Sequence, residues 1–209
     1  VVQNVSRLDI QLLKRSLTKH SSGLYLLPRP VELHDTNAIT HDNIRKVVGL
    51  LKASFTHLII DLSKTYSPID MAAIESASKV VLVTQLDLPC LRNVVRLMMS
   101  FEEMEDLKDK VEIVVNRAGL ESGQISLKKA KETLGREVFA LLPNDYRTMV
   151  EVRNNGVPLI VQAPRAGITH AIRELASKLD GANQRQGDNS DAASKGTESK
   201  WKKFWPGIK

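Results

Sequence analysis

The 209-residue sequence contains one cysteine, Cys90, and only 4% of its residues are aromatic. A single cysteine excludes an internal disulfide and a zinc site built from several cysteine ligands, and it suits a reducing cytoplasm. No apolar run approaches the roughly 20 residues that a helix needs to cross a bilayer. We therefore expect a soluble protein rather than a disulfide-stabilised secreted domain or an integral membrane protein.

A net excess of one sign of charge is also absent over most of the chain. The formal net charge is +6, but four lysines in the last ten residues supply most of this excess. The rest of the chain is near neutral, so no broad nucleic-acid-binding face is indicated, and we expect no nucleic-acid partner.

The sequence further lacks an initiating methionine, a signal-peptide pattern and any Gly-Lys dipeptide. It begins at Val1 and enters a helical pattern at once, so we expect the C-terminal part of a longer protein. A phosphate-binding loop has the pattern G-x-x-x-x-G-K-[ST], in which backbone amides and the lysine bind phosphates. Such a loop is either lost or lies upstream of Val1.

What the sequence does contain is an alternation of short apolar runs with amphipathic segments. The runs are rich in Val, Ile and Leu and mostly continuous, which is typical of strands covered on both faces. The predicted strands are 23–28, 57–62, 80–85, 111–117 and 137–143. The predicted helices are 42–54, 69–78, 91–104, 126–134 and 168–179, with Thr40 and Ser126 as helix caps. This order predicts a doubly wound α/β fold with a mostly parallel sheet flanked by helices.

The composition changes after residue 179. Residues 180–199 have almost no large apolar side chains and cannot offset the entropy of ordering, so they predict a disordered linker between a domain at 1–179 and a tail at 200–209. The tail interleaves lysines with aromatic rings: Trp201, Lys202, Lys203, Phe204 and Trp205. Such a segment can bind an anionic bilayer surface, where each lysine contributes about 1 kcal/mol. A docking peptide for a protein partner has the same composition, and both interpretations stay open.

Asp61 closes the apolar run that begins at His57. Ligands of open parallel sheets bind beyond the C-terminal ends of the strands. A carboxylate at that position can hold a magnesium-bound water, which is the role of a Walker-B aspartate. It can equally cap the following turn, and the residue alone does not separate these two roles.

Asn116 and Arg117 close the next-but-one strand at the same predicted edge. An asparagine amide offers a donor and an acceptor to an adenine edge, although asparagine is also common in plain turns. The segments 141–145 and 154–158 contain turn-forming residues whose roles could be purely structural. Cys90 has no acid or histidine placed to activate it, so we interpret it as a buried or half-buried structural thiol.

The order of these pieces resembles the MinD/ParA family of deviant-Walker P-loop ATPases, most closely its CpaE/TadZ-like branch associated with Flp (Tad) pilus assembly. The resemblance covers about residues 5–179. The segment FTHLIIDLSKTYSPIDMAAIESASKVVLVTQLDLPCLRNVVRLM is similar to the family's Walker-B strand, switch region, next strand and helix start. The segments LTKHSSGLYLLPRP, VVNR and LPNDYRTMVEVRNNGVPLI are similar to further family segments in the same order.

Carried over residue by residue, the resemblance implies that Asp61 is a Walker-B-like carboxylate that binds Mg²⁺ through water. It places Asn116 and Arg117 on the adenine side, beside a loop formed by Pro143, Asn144 and Asp145. Asn154, Gly156 and Pro158 would shape the following turn. The sequence departs from many relatives at residues 62–64, where the family has a proline and then a small residue.

The resemblance implies a function as well. The full-length protein would use ATP and Mg²⁺, form a homodimer when ATP is bound, and position pilus or secretion assembly proteins from the cytoplasm at the inner face of the plasma membrane. The alternatives are a non-catalytic scaffold with the same fold and a MinD-like factor that positions the cell-division site. Because the N-terminal strand of the family fold and its phosphate loop are missing, we expect these 209 residues alone to bind neither ATP nor Mg²⁺ and to hydrolyse nothing.

Overall fold

The computed structural model describes part of the chain, and this part divides into two compact units, one within Val1–Ser78 and one within Lys79–Lys209. The described residues are 8–28, 39–63, 65–104, 107–120 and 123–181. The basic aromatic tail and nearly all of the predicted linker lie outside them, so both stay predictions. Among the described residues, no helix combines the length and the apolar character that a membrane span requires.

The first unit consists of three helices and a short hairpin among its described residues. These elements are α1 (Ile10–Arg15), β1 (Thr18–Lys19), β2 (Tyr25–Leu26), α2 (His41–Ser54) and α3 (Pro68–Ser76). Leu8, Leu13 and Leu51 form the buried centre of its core, where α1 contacts α2. Full burial of one such side chain stabilises the fold by about 1.5–3 kcal/mol.

Two strand predictions in this unit are wrong. The segment 23–28 has only two strand residues, and they pair antiparallel with β1 in an exposed hairpin instead of lying inside a parallel sheet. The segment 57–62 forms no strand, and Ile59 is 91% exposed. A strand needs a hydrogen-bonded neighbour, and no described residue pairs with 57–62. An apolar run indicates a preference for burial, but it does not show whether a neighbouring strand is present to pair with it.

The second unit is built on a parallel sheet of three strands in the order β3-β4-β5 among its described residues. The strands are β3 (Val80–Thr84), β4 (Val111–Ala118) and β5 (Ala140–Pro143). The helices are α4 (Leu88–Glu102), α5 (Leu127–Leu134), α6 (Tyr146–Asn155), α7 (Leu159–Gln162) and α8 (Gly167–Leu179), with a 3₁₀ turn at Lys108–Lys110. The prediction of an α/β fold with a parallel sheet flanked by helices is confirmed.

β4 is the centre of this unit. Ile113, Val114 and Val115 are all fully buried, and because successive residues of a strand point to opposite faces, both faces of β4 are covered. α4 contacts β3 and α5, while α8 contacts β5. β3 differs, because Val81 and Val83, which share one face of the strand, are 37% and 55% exposed. Coverage on both faces is therefore confirmed for β4 and wrong for β3.

Side-chain caps fix where several helices begin. Thr40 and Ser126 each accept a hydrogen bond of 3.3 Å from the backbone N–H three residues later, as predicted. Asp87 and Asp145 cap α4 and α6 in the same way. A cap of this kind stabilises a helix by about 1 kcal/mol. The caps at Asp87 and Asp145 fix where the helices that follow β3 and β5 begin.

Candidate functional site

β3 and β4 end at the same edge of the sheet, since they pair in parallel register from Val80 with Val111 to Thr84 with Val115. A cleft of about 90 Å³ opens at this edge, which we call the strand-end cleft. Its lining residues are Val83, Thr84, Gln85, Cys90 and Asn116. Open parallel sheets bind their ligands at this edge, and the predicted base-side residue Asn116 lies in its wall.

A second recess of about 60 Å³ also contains Gln85 in its wall, together with residues from the loops that follow β3 and β4. The other lining residues are Leu86, Asp87, Leu120, Gly123 and Gln124. The lining side chains include three neutral amides, those of Gln85, Asn116 and Gln124. Such groups suit a heteroaromatic ring with its own donors and acceptors.

A β-bulge at the end of β4 determines where Asn116 points. Val115 pairs with Leu141 and Ala118 pairs with Pro143, so Asn116 and Arg117 together stand opposite one residue of β5. Bulges bend a strand locally and redirect a side chain, and they are frequent beside functional sites. The sequence places Asn116 at a strand end, but only the pairing register shows the bulge.

The orientation of the Asn116 amide is set by the next residue. Arg117 has φ +53°, in the left-handed region, and its backbone N–H donates to Oδ1 of Asn116 at 2.9 Å. For a residue with a Cβ this conformation costs roughly 1–2 kcal/mol. With Oδ1 turned towards the Arg117 N–H, the Nδ2 group and the second lone pair of Oδ1 can contact a ligand.

Gln124 holds the loop that follows β4, and no sequence pattern singled it out. Its Nε2 donates to the carbonyl oxygen of Arg117 at 2.7 Å. Its Oε1 accepts from the backbone N–H groups of Gly119 at 2.9 Å and Leu120 at 3.1 Å. Glutamines with side-chain bonds to a loop backbone have no recognisable sequence spacing, so the structure alone identifies this residue.

The segment after β5 comes to the end of β4. The backbone N–H of Asn144 donates to the carbonyl oxygen of Ala118 at 2.9 Å, which brings the predicted loop Pro143–Asp145 next to the bulge. The Asp145 carboxylate accepts from the Thr148 N–H at 3.2 Å and so caps α6. The loop Pro143–Asp145 thus lies beside Asn116 and Arg117. Contact of this loop with a base stays a prediction.

The turn predicted at Asn154, Gly156 and Pro158 joins α6 to α7. Asn155 ends α6, and Gly156 follows with φ +62°, which glycine adopts without the penalty of a Cβ. Pro158 stands immediately before α7. The turn-forming role is confirmed for Gly156 and Pro158 and is wrong for Asn154, which lies within α6.

Asp61 lies in the first unit, and its side chain is exposed. The segment after it is held by Asp70, a buried carboxylate in the first turn of α3. Asp70 accepts from the N–H and Oγ of Ser63 at 3.2 and 2.6 Å and from the N–H and Oγ of Ser67 at 2.8 and 2.9 Å. Asp70 was not among the residues predicted from the sequence, although the pattern S-x-x-D before an apolar run indicates a capping box.

Burial on its own would raise the pKa of Asp70, but the hydrogen bonds from Ser63 and Ser67 outweigh it and hold the pKa below the ordinary value. The neighbouring Tyr66 has φ +49°, and burial together with the Asp70 charge raises the pKa of its hydroxyl. A charged carboxylate therefore organises the turn between Asp61 and α3.

No group of three or more acidic, histidine or cysteine side chains within the described residues could enclose a metal ion. Asp61 could contribute to a Mg²⁺ site only as one partner of a bound water, with a nucleotide supplying other oxygens. Cys90 is half-buried as predicted. Burial, followed by the hydrogen bond and charge of Asp87, raises the pKa of the Cys90 thiol, so it is not an activated nucleophile.

No family model matches the chain. Among curated proteins, the septum site-determining protein MinD of Thermotoga maritima is 24% identical over 202 residues, which covers 94% of this chain and 73% of the relative. An uncharacterised ATP-binding protein of Methanocaldococcus jannaschii is 22% identical over 170 residues, covering 81% of this chain. The chain spans 63% of that relative's length, which is less than two thirds.

Solved structures agree with these relatives. A ParA family ATPase from Chlorobium tepidum superposes with a TM-score of 0.78 at 22% identity, covering 84% of this chain and 73% of that one. The septum site-determining protein MinD of Pyrococcus horikoshii, complexed with Mg-ADP, gives 0.70 at 19% identity, with coverages of 90% and 74%. The fold is that of the ParA and MinD ATPases, and the relatives support a relationship to this family of P-loop ATPases.

Proposed function

We propose that this chain is the base-binding part of a nucleotide-dependent switch of the MinD/ParA type, with adenine as the preferred base. The observation that carries the proposal is the β4 bulge, which sets the Asn116 amide in the wall of the strand-end cleft. The fold adds support, because one structure that shares it is described as a complex with Mg-ADP.

The chemistry of the amide favours adenine. Adenine presents an amino donor beside a ring-nitrogen acceptor, and an asparagine amide matches this pair with its oxygen and its NH₂ group. Guanine has a carbonyl oxygen at the corresponding position, so the amide would have to turn over to match it. Turning it over would break the bond between Asn116 Oδ1 and the Arg117 N–H.

The phosphate side of the site is less complete. The 209 residues contain no Gly-Lys dipeptide, so they carry no phosphate-binding loop of the usual pattern. We propose that Asp61 holds a Mg²⁺-bound water in a form of the protein that includes such a loop, and that hydrolysis belongs to that form. The cleft leads us to propose weak base binding by this chain, with a Kd of about 1 mM or higher, in place of the expected absence of binding.

For the cellular role, the names of the relatives favour positioning of a large assembly. Two curated relatives are named septum site-determining protein MinD, and one structure of this fold is a MinC:MinD cell division protein complex from Aquifex aeolicus. We therefore propose placement of the division site as a role beside the pilus or secretion assembly implied by the CpaE/TadZ-like segments. In both, an ATP-bound homodimer would act from the cytoplasm at an anionic membrane surface reached by the tail at 200–209.

A titration of the ¹⁵N-labelled chain with ATP and with GTP tests the base site. We expect shifts of the Asn116, Arg117 and Gln85 amides with ATP, and weaker shifts with GTP. Asn116→Ala should abolish the preference, and Asn93→Ala is the matched control because Asn93 is exposed on α4 and does not line the cleft. Equal shifts with ATP and GTP in the unmodified chain would contradict an adenine site and favour the scaffold alternative.

A further inference from the structure

We infer that Gln124 is the positioning residue of the base site: it holds the backbone of the loop after β4 and thereby fixes the orientation of the Asn116 amide. The inference rests on the proposed adenine site and adds the residue that sets its selectivity. Gln124 touches no atom of the base in this scheme and acts through Arg117.

Gln124 uses both ends of its side-chain amide on one short stretch of backbone. The NH₂ end donates to the Arg117 carbonyl, and the oxygen accepts from the N–H groups of Gly119 and Leu120. An apolar side chain of the same length would lose all three bonds. A carboxylate would keep the acceptor and lose the donor.

The loop needs this support because its backbone is unfavourable by itself. Arg117 and Gly119 both have positive φ, +53° and +86°, and the left-handed region disfavours a residue with a Cβ such as Arg117. Ala118 between them is tied on its other side, where its carbonyl accepts from the Asn144 N–H. The Gln124 side chain thus completes the set of bonds that keeps Arg117 in this conformation.

The peptide group that joins Asn116 to Arg117 decides the orientation of the Asn116 amide. Only while the Arg117 N–H faces Oδ1 of Asn116, at 2.9 Å, is the amide held with a defined donor side and acceptor side. When the loop relaxes, the N–H turns away, and the two amide orientations become comparable in energy. The site then loses its distinction between adenine and guanine but keeps its shape.

Gln124 is itself well anchored. The N–H of the following residue, Ile125, donates to the carbonyl oxygen of Leu86 at 2.8 Å, and Leu86 lies in the loop after β3. The hydrogen bonds of Gln124 and Ile125 therefore connect the segments that follow β3 and β4, the two strands whose ends line the cleft. Gln124 also lines the recess that shares Gln85 with the cleft.

Two substitutions separate the donor bond of the Gln124 side chain from its acceptor bonds. Gln124→Met preserves length and removes all three bonds, while Gln124→Glu preserves the acceptor towards Gly119 and Leu120. Gln11→Met is the matched control, since Gln11 is exposed on α1. For each 209-residue chain, the measurements are amide hydrogen exchange of Gly119 and Leu120 by NMR, the ratio of ATP to GTP affinity, and the thermal midpoint.

We expect Gln124→Met to speed exchange of both amides by about tenfold, because it removes their acceptor. The ATP-to-GTP affinity ratio should fall towards one, with a thermal midpoint close to that of the unmodified chain. Gln124→Glu should restore the amide protection and leave an intermediate ratio.

Two results would overturn the inference while leaving the adenine site standing: unchanged amide exchange in Gln124→Met, or an unchanged affinity ratio in a chain that prefers ATP. A third result, in which the unmodified chain itself shows no preference for ATP, would overturn the adenine site and this inference together. The comparison of the unmodified chain with Gln124→Met therefore separates the two failures.

Discussion

The Oγ of Ser63 lies 2.6 Å from Oδ2 of Asp70, and the Ser63 backbone N–H donates to Oδ1 of the same carboxylate at 3.2 Å. The residue two positions after Asp61 is thus fixed to the first turn of α3. Any movement of the turn after Asp61 has to break a charge-assisted bond in a site that water hardly reaches, since Asp70 is 6% exposed.

The first prediction concerns Asp70→Asn. Replacing one carboxylate oxygen by NH₂ places a donor against the donors of Ser63 and Ser67, so we expect a loss of about 1–3 kcal/mol in the free energy of unfolding. Chemical denaturation followed by circular dichroism measures it. Asp42→Asn is the control, because Asp42 is also in the first turn of a helix but its side chain is 93% exposed. Equal losses in both variants would show that the hydrogen bonds of Asp70 contribute little.

The second prediction is the pH dependence of the same carboxylate. The folded-state pKa of Asp70 lies below the ordinary value of 3.8, so the unfolded chain binds its proton at higher pH than the folded chain. The stability that Asp70 contributes is therefore complete above pH 3.8 and is lost as the pH falls through the folded-state pKa. Urea midpoints at a series of pH values from 7 down to about 2.5 should fall more steeply for the unmodified chain than for Asp70→Asn. Parallel curves would contradict the prediction.

The third prediction compares two glycines with opposite expected signs. Gly156 has φ +62° and Gly49 lies inside α2, and an added Cβ would meet no atom within 4 Å at either position. Gly156→Ala should destabilise by about 1 kcal/mol, because it forces alanine into the left-handed region. Gly49→Ala should stabilise by about 0.5–1 kcal/mol through helix propensity. Thermal unfolding of the two variants measures both, and changes of the same sign would be the contrary result.

The fourth prediction uses Cys90 as a reporter of the cleft. Its raised thiol pKa predicts slow alkylation by iodoacetamide at pH 7 and faster alkylation as the pH approaches 9. Because Cys90 and Asn116 line the same cleft, millimolar ATP should slow the alkylation further, and GTP should slow it less. Asn116→Ala should remove the protection by ATP. Protection that persists in this variant would place the nucleotide elsewhere.

The fifth prediction concerns the tail. Liposomes that contain anionic lipid should float the complete chain, and removal of residues 200–209 should abolish flotation, since about 1 kcal/mol is lost with each lysine. A chain with the three rings Trp201, Phe204 and Trp205 replaced by serine tests the aromatic contribution at unchanged charge. Equal flotation of complete and shortened chains would favour a docking peptide for a protein partner.

Sequence patterns predicted β3, β4 and the helices well where local sequence decides structure. The caps at Thr40 and Ser126 are examples, because the cap and its N–H lie three residues apart. The strand at 57–62 was predicted wrongly since its existence depends on a neighbour that a local pattern does not reveal. α6 was missed although Asp145 before it and Gly156 after it are ordinary start and stop residues.

The candidate site was predictable only in part. Asn116 and Arg117 could be placed at a strand end, because apolar runs locate strands to within a few residues. The bulge that aims Asn116 depends on the register between β4 and β5, which is a property of two strands together. The bonds of Gln124 depend on the folded path of the loop. The proposed selectivity would therefore depend on backbone geometry that a local sequence pattern does not predict.

The exposed flank of β3 affects how the chain behaves in solution. Val81 and Val83 are partly exposed on a strand that has one neighbour among the described residues. A strand edge with apolar side chains is a template for further pairing, and natural proteins place charges beside such edges as gatekeepers against aggregation. Lys79, directly before β3, is engaged with Glu112 at 2.6 Å. We therefore expect Val83→Lys, which adds a charge to this described part of β3, to reduce aggregation of the chain through that strand.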